Sequence, residues 1–138
     1  MERKNIALVI GSFHKKEAEV MFKAAHEAAS ECSLDIVKEI WIPGTYEAPL
    51  AIKRLLMKNE IDGVAVLGII ERGETKHGLI MGQSVSDAII SLQLEFMKPV
   101  GIGIIGPEVL PEQIEPRLLN HAKGAVVAVR SMLDLPIW

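Results

Sequence analysis

The chain has 138 residues, with 15 Lys and Arg against 18 Asp and Glu and a net charge of -3. That length fits one domain with a core of useful size, and the slight acidity gives no electrostatic ground for nucleic acid or an anionic membrane as partner. Hydrophobic residues make up 49% but aromatic ones only 4%, so the core is expected to be aliphatic, with the apolar surplus buried against further copies of the chain. The lone cysteine, Cys32, has no partner for an internal disulfide and suits a reducing compartment. The opening Met1-Glu2-Arg3-Lys4-Asn5 carries no signal-peptide pattern, and no apolar run approaches the length of a membrane span. The expectation is a cytoplasmic, self-associating domain over residues 1–138.

In chain order, Ile6–Ile10 is a continuous apolar run that ends at Gly11-Ser12-Phe13-His14. From Lys15 to Cys32 apolar residues recur at helical spacing (Ala18, Met21, Phe22, Ala25, Ala28, Ala29, Cys32), with a charged opposite face. Leu34–Ile42 reads as a strand with Leu34, Ile36, Ile40 and Ile42 on one face, stopped by Pro43-Gly44. Thr45 to Asn59 reads as a helix with Ala48, Ile52, Leu55 and Leu56 inward. Pro49 is tolerated only in a first turn, which sets its start near Thr45–Tyr46. Gly63–Leu67 is the third strand. About Lys76 to Met97 is the third helix, with Ile80, Val85, Ala88, Ile89, Leu92 and Phe96 inward. Pro99 to Ile105 is the fourth strand. Pro111 to Leu133 is helical and bent near Pro116, with Ile114, Leu118, Ala125, Val126 and Val129 inward.

The order is β-α-β-α-β-α-β-α with strands that do not alternate. Strands of that kind are buried on both faces, as in a four-stranded parallel sheet between two helix layers. Ligands of such sheets bind beyond the carboxyl ends of the strands. Four segments are expected there: Ser12 to His14, Pro43 to Glu47, Ile69 to His77, and Gly106 to Glu108. The central one, Gly68 through His77, leads from a strand into a helix start, where free N–H groups and the helix dipole favour an anion such as phosphate. The plainer reading of the same stretch is a turn with Thr75 as N-cap and His77 in solvent.

Gly101, Gly103 and Gly106 spell the dinucleotide G-x-G-x-x-G, but they lie within a strand rather than at a helix start, so the match is accidental. Glycines so placed admit the close approach of a helix or a ligand. One cysteine and four scattered histidines give no metal-ligand spacing, so no metal is expected. His26 lies on the charged face of the first helix and is expected in solvent, His121 outside the strand-end crevice, and Cys32 in the core.

Three stretches taken together, Ile10-Gly11-Ser12-Phe13, Pro43 to Pro49, and Gly68 to His77 with its Gly73, Thr75 and His77, carry a resemblance along essentially the whole chain. The sequence resembles the 6,7-dimethyl-8-ribityllumazine synthases, in particular their short archaeal forms. The resemblance implies a flavodoxin-like three-layer α/β/α sandwich assembled as pentamers. It also implies condensation of 5-amino-6-ribitylaminouracil with 3,4-dihydroxy-2-butanone 4-phosphate, releasing phosphate and water without cofactor or metal. By position it implies that Phe13 stacks on the pyrimidine, and that Thr45, Tyr46, Glu47, Ile69 and Ile70 line the ribityl and ring pocket. Gly73, Glu74 and Thr75 would hold phosphate, and His77 would move protons. Arg117 would supply the phosphate's cation, across a subunit boundary in many members, and Lys123 would contact the pyrimidine. The chain departs from the family in having His14 for the usual asparagine and Glu71 for an isoleucine-like residue. Two other readings are an archaeal-type riboflavin synthase of the same fold, which the Gly73, Thr75 and His77 set disfavours, and a non-catalytic flavin- or lumazine-binding shell.

Overall fold

A computed structural model describes residues 2–136. Four strands, β1 (Lys4–Gly11), β2 (Leu34–Ile42), β3 (Gly63–Glu71) and β4 (Val100–Val109), form one sheet in the order β2-β1-β3-β4. Every pairing is parallel. Helices α1 (Lys15–Glu31) and α5 (Leu118–Asp134) cover one face, and α2 (Ala48–Leu56) and α3 (His77–Phe96) cover the other. The result is the three-layer, flavodoxin-like sandwich. Among the described residues no helix is long and apolar enough to cross a membrane.

The strand period of two divides the core between the layers. Ile6, Leu8 and Ile10 of β1 point to α1 and α5, while Ala7 and Val9 point to α2 and α3. All five are fully buried, and the four larger side chains contribute roughly 1.5–3 kcal/mol each when taken out of water. The face of α1 is built from Ala18, Ala24, Ala25, Ala28 and Ala29 around Met21. The small residues let the helix sit close to the sheet and to α5.

The glycines of β4 answer to the same packing. A Cβ on Gly101 would lie 1.9 Å from the Ala125 carbonyl oxygen, and one on Gly103 would lie 2.8 Å from the carbonyl oxygen of His121. Both residues belong to α5, so these glycines make room for a helix.

The structure departs from the expected pattern in several places, among them α2, which runs Ala48–Leu56 rather than on to Asn59. In β2, Ile36 pairs with Ile6 but Lys38 pairs with Ala7, so Val37 is an extra residue. This bulge flips the remainder of the strand. Leu34 and Ile36 therefore pack under α1 and α5, whereas Ile40 and Ile42 pack under α2. In α3, Ile80 is exposed: it lies five residues before Val85, well off the stripe of Gly82, Val85, Ile89 and Leu92 that is buried. Both β3 and β4 run four residues beyond their expected ends, through Glu71 and Val109. The last helical region is broken as expected: one turn, α4 (Pro111–Ile114), then a 3-10 turn at Glu115–Arg117 containing Pro116, then α5.

Candidate active site

Strand order reverses between β1 and β3, since the chain steps from β1 to β2 on one side and resumes with β3 on the other. The crevice outside the carboxyl ends of such strands is where open α/β sheets bind ligands. A cavity of about 420 Å³ opens there.

Each wall has a local cause. Beyond β1, Ser12 donates twice to the Ile42 carbonyl, from its N–H at 2.8 Å and from its hydroxyl at 2.9 Å. That lock between β1 and β2 sends Phe13 and His14 to the cavity. Phe13 is 82% exposed. A phenylalanine that open has no packing role in its own chain and presents a free face to a planar ligand.

The turn after β2 supplies Gly44, Thr45, Tyr46 and Glu47. Pro43 and Gly44 break the strand, Thr45–Glu47 form a 3-10 turn, and Pro49 fits at the start of α2 because its missing N–H is unpaired there anyway. Thr45 is buried, and its hydroxyl faces the bare Cα of Gly68. Tyr46 and Glu47 are exposed along the rim.

From the end of β3 come Ile69, Ile70 and Glu71, then Gly73 and Thr75 of the loop, and His77, Gly78 and Met81 of α3. Lys76, not Thr75, takes the N-cap position, and its side chain makes no capping bond. Thr75 instead accepts the His77 N–H on its hydroxyl oxygen at 3.3 Å, which leaves its own O–H free to donate. Gly78 packs closely on the end of β3: a Cβ there would sit 3.2 Å from the Glu71 carbonyl oxygen. The imidazole of His77 stands against Tyr46, ring centroids 5.7 Å apart. An apolar floor, aromatic flanks, a hydroxyl and an imidazole at a helix start form a site fit to hold a planar polar ring and an anionic group together.

Nine of the expected site residues meet at this cavity: Phe13; Thr45, Tyr46 and Glu47; Ile69 and Ile70; Gly73, Thr75 and His77. Glu74, Arg117 and Lys123 do not line it. Glu74 is exposed on the loop. Arg117 lies in the turn before α5, exposed, donating from Nη1 to the Gln113 carbonyl at 2.9 Å. The fourth expected segment, Gly106 to Glu108, is also outside the lining. Pro107 packs on Gly82 of α3, and Glu108 pairs with Arg72 at 3.3 Å.

His14, Gly78 and Met81 line the cavity without having been assigned a role from sequence. Met81 was legible in principle, being one helical turn beyond His77 on the same face. His26 is not simply solvated: its Nε2 lies 2.8 Å from Glu39 Oε1 of β2, and its ring packs on Phe22. His121 lies outside the cavity, its Nδ1 3.1 Å from the Arg117 carbonyl oxygen, and Cys32 packs against the core while half-buried.

A family model described as 6,7-dimethyl-8-ribityllumazine synthase matches residues 3–136. The 6,7-dimethyl-8-ribityllumazine synthase of Methanococcus vannielii is 38% identical over 129 residues, covering 94% of this chain and 91% of that protein. The enzyme of the same name from Picrophilus torridus is 38% identical over 130 residues, covering 94% and 95%. That of Staphylothermus marinus is 35% identical over 129 residues, covering 94% and 86%. With a match that runs from the start of β1 past the end of α5 and takes in every wall of the cavity, the chain belongs to the 6,7-dimethyl-8-ribityllumazine synthase family.

Proposed function

We propose that the chain is an active 6,7-dimethyl-8-ribityllumazine synthase of riboflavin biosynthesis, working in the cytoplasm. It condenses 5-amino-6-ribitylaminouracil with 3,4-dihydroxy-2-butanone 4-phosphate. The observation that carries the reading is the convergence of Phe13, the Thr45–Glu47 turn and the Gly73–His77 loop on one cavity. The family match disfavours both the riboflavin synthase reading and the non-catalytic shell.

Each step asks for a group that the cavity holds. An amine of the pyrimidine adds to the ketone and water leaves, giving a Schiff base. Phosphate is then eliminated, and the second amine closes the ring with loss of another water. These steps need reactants held in register and protons moved among nitrogen, carbon and oxygen. Phe13 stacks on the pyrimidine. Thr45, Tyr46 and Glu47 hold the ribityl chain and ring, with Ile69 and Ile70 beneath. The N–H groups around Gly73 to Thr75 and the Thr75 hydroxyl take the phosphate, and His77 moves protons.

A phosphate in transit also needs a fixed cation, and the cavity lining contains neither arginine nor lysine. We assign that role to Arg117 of a neighbouring copy, with Lys123 of the same neighbour contacting the pyrimidine, in a homo-oligomer built from pentamers. The exposed Ile80, Ile90 and Leu94 on the outer side of α3 supply apolar surface of the kind that association buries. Mixing the protein with both substrates tests the proposal. Lumazine absorbance should rise together with released phosphate, and absence of both would overturn it.

A further inference from the structure

Resting on that reading of the cavity, the geometry points to a second imidazole at work in it. His14 and Glu71 are the two residues that line both the active-site cavity and a second hollow of about 500 Å³ between α1, α4 and the start of α5. Both residues therefore border the two spaces. Their placement on the same two cavities follows the sheet: Ile10 of β1 lies opposite Leu67 of β3, and each residue is four positions further along its own chain.

The state of His14 is unusual for a histidine beside open space. Its Nδ1 is closed to solvent and has no hydrogen-bond partner. It occupies the N-cap position of α1 yet makes no side-chain capping bond there, although its carbonyl accepts the Ala18 N–H at 2.8 Å. The Phe13 ring stands edge-on beside it, centroids 5.2 Å apart, and offers no acceptor in the ring plane. A buried imidazole nitrogen left unpaired is unfavourable, so the resting arrangement is one that a partner improves. Among the described residues the Glu71 carboxylate makes no salt bridge, and Glu71 borders the same two spaces. Polar groups of the second hollow, Lys16, Glu17 and Glu115, do not reach into the cavity lining.

A carboxylate beside a neutral imidazole accepts the N–H of one ring nitrogen and thereby fixes the tautomer. The opposite nitrogen is then bare and accepts a hydrogen bond. We propose that Glu71 accepts a hydrogen bond from one ring N–H of His14 in this way when ligand enters, and that the opposite, unprotonated nitrogen accepts a donor of the ribityl-pyrimidine, a hydroxyl or an N–H. His14 is then a binding residue for the polyol heterocycle, and Glu71 is a positioning residue acting through it. Neither role overlaps that of His77, whose ring packs against Tyr46.

The test is binding of the fluorescent product 6,7-dimethyl-8-ribityllumazine, titrated against the wild type, H14A, H14N, E71Q and the double variant H14A/E71Q. H14A should weaken binding about tenfold, the effect of one unmade hydrogen bond. E71Q should weaken it severalfold. The double variant should be no worse than H14A, because without the imidazole the carboxylate has nothing to orient. H14N, which keeps a donor and an acceptor near the place of Nδ1, should stay within about twofold of the wild type. Unchanged circular dichroism and sedimentation would show that the folds and assemblies compare. Additive losses in the double variant, or wild-type affinity in H14A, would overturn the pairing while leaving the proposed function intact. Failure of the wild type to bind the lumazine would overturn both.

Discussion

Tyr46 stands edge-on to His77, with ring centroids 5.7 Å apart and planes at 63°. The contact joins the turn after β2 to the first residue of α3. Among the described residues no carboxylate pairs with this imidazole, so ring packing rather than an ion pair orients it. That arrangement suits a group required to take up and release protons. In His77→Ala, kcat should fall by about 10²- to 10⁴-fold, the usual contribution of a positioned acid or base. Light scattering should show an unchanged assembly. Wild-type turnover in that variant would remove His77 from the chemistry.

Thr75 accepts the His77 N–H on its hydroxyl oxygen, which leaves its own O–H free to donate. Thr75→Ala should raise KM for the butanone phosphate about tenfold while leaving KM for the pyrimidine near its wild-type value. Thr75→Ser, which retains the hydroxyl, should recover most of the loss. A serine variant as impaired as the alanine one would mean that the hydroxyl is not the contact.

If Arg117 serves a neighbour's cavity, variants impaired at the two residues should rescue one another when assayed well below the raised KM for the butanone phosphate. Arg117→Ala alone should mainly raise KM for the phosphate substrate. After co-refolding equal amounts of Arg117→Ala and His77→Ala, about a quarter of the sites should hold both native groups. Activity well above the sum of the separate variants is the expected result. No gain on mixing would place the cation within the subunit or on another residue.

Two glycines give opposite expectations for stability. A Cβ on Gly101 collides with the α5 backbone at Ala125, whereas one on Gly124 meets nothing within 4 Å. Gly101→Ala should therefore destabilise by about 3 kcal/mol, the upper range for overpacking. Gly124→Ala, within α5, should stabilise by about 1 kcal/mol through helix propensity. Denaturant midpoints measure both, and similar shifts of one sign would contradict the packing described.

Much of this structure was legible in the sequence because its two central strands, β1 and β3, are buried on both faces. Val64–Leu67 and Ile6–Ile10 announce themselves as apolar runs, and Pro43-Gly44 and Pro49 punctuate the chain where turns must fall. What escaped depends on relations between distant residues. The bulge at Val37 arises in the pairing of β2 with β1, and nothing in Leu34–Ile42 alone marks which residue is extra. Ile80 looks like core by hydrophobicity and is excluded only by the phase of the helix against the sheet. Phe13, Tyr46 and Thr75 were readable as site residues because motif and strand-end position agree. The remoteness of Arg117 from its own cavity was implied only by the resemblance, since physically it depends on how α4 and the following turn leave β4. The shared placement of His14 and Glu71 likewise follows only from the register of β1 with β3.

The central claim is that the loop entering α3 captures the phosphate beside His77. Crystals soaked with inorganic phosphate test it most directly. Density for the anion between Gly73, Thr75 and the start of α3, within hydrogen-bond reach of the Thr75 hydroxyl, is the predicted result. Phosphate bound at any other place, with that loop empty, would contradict the account.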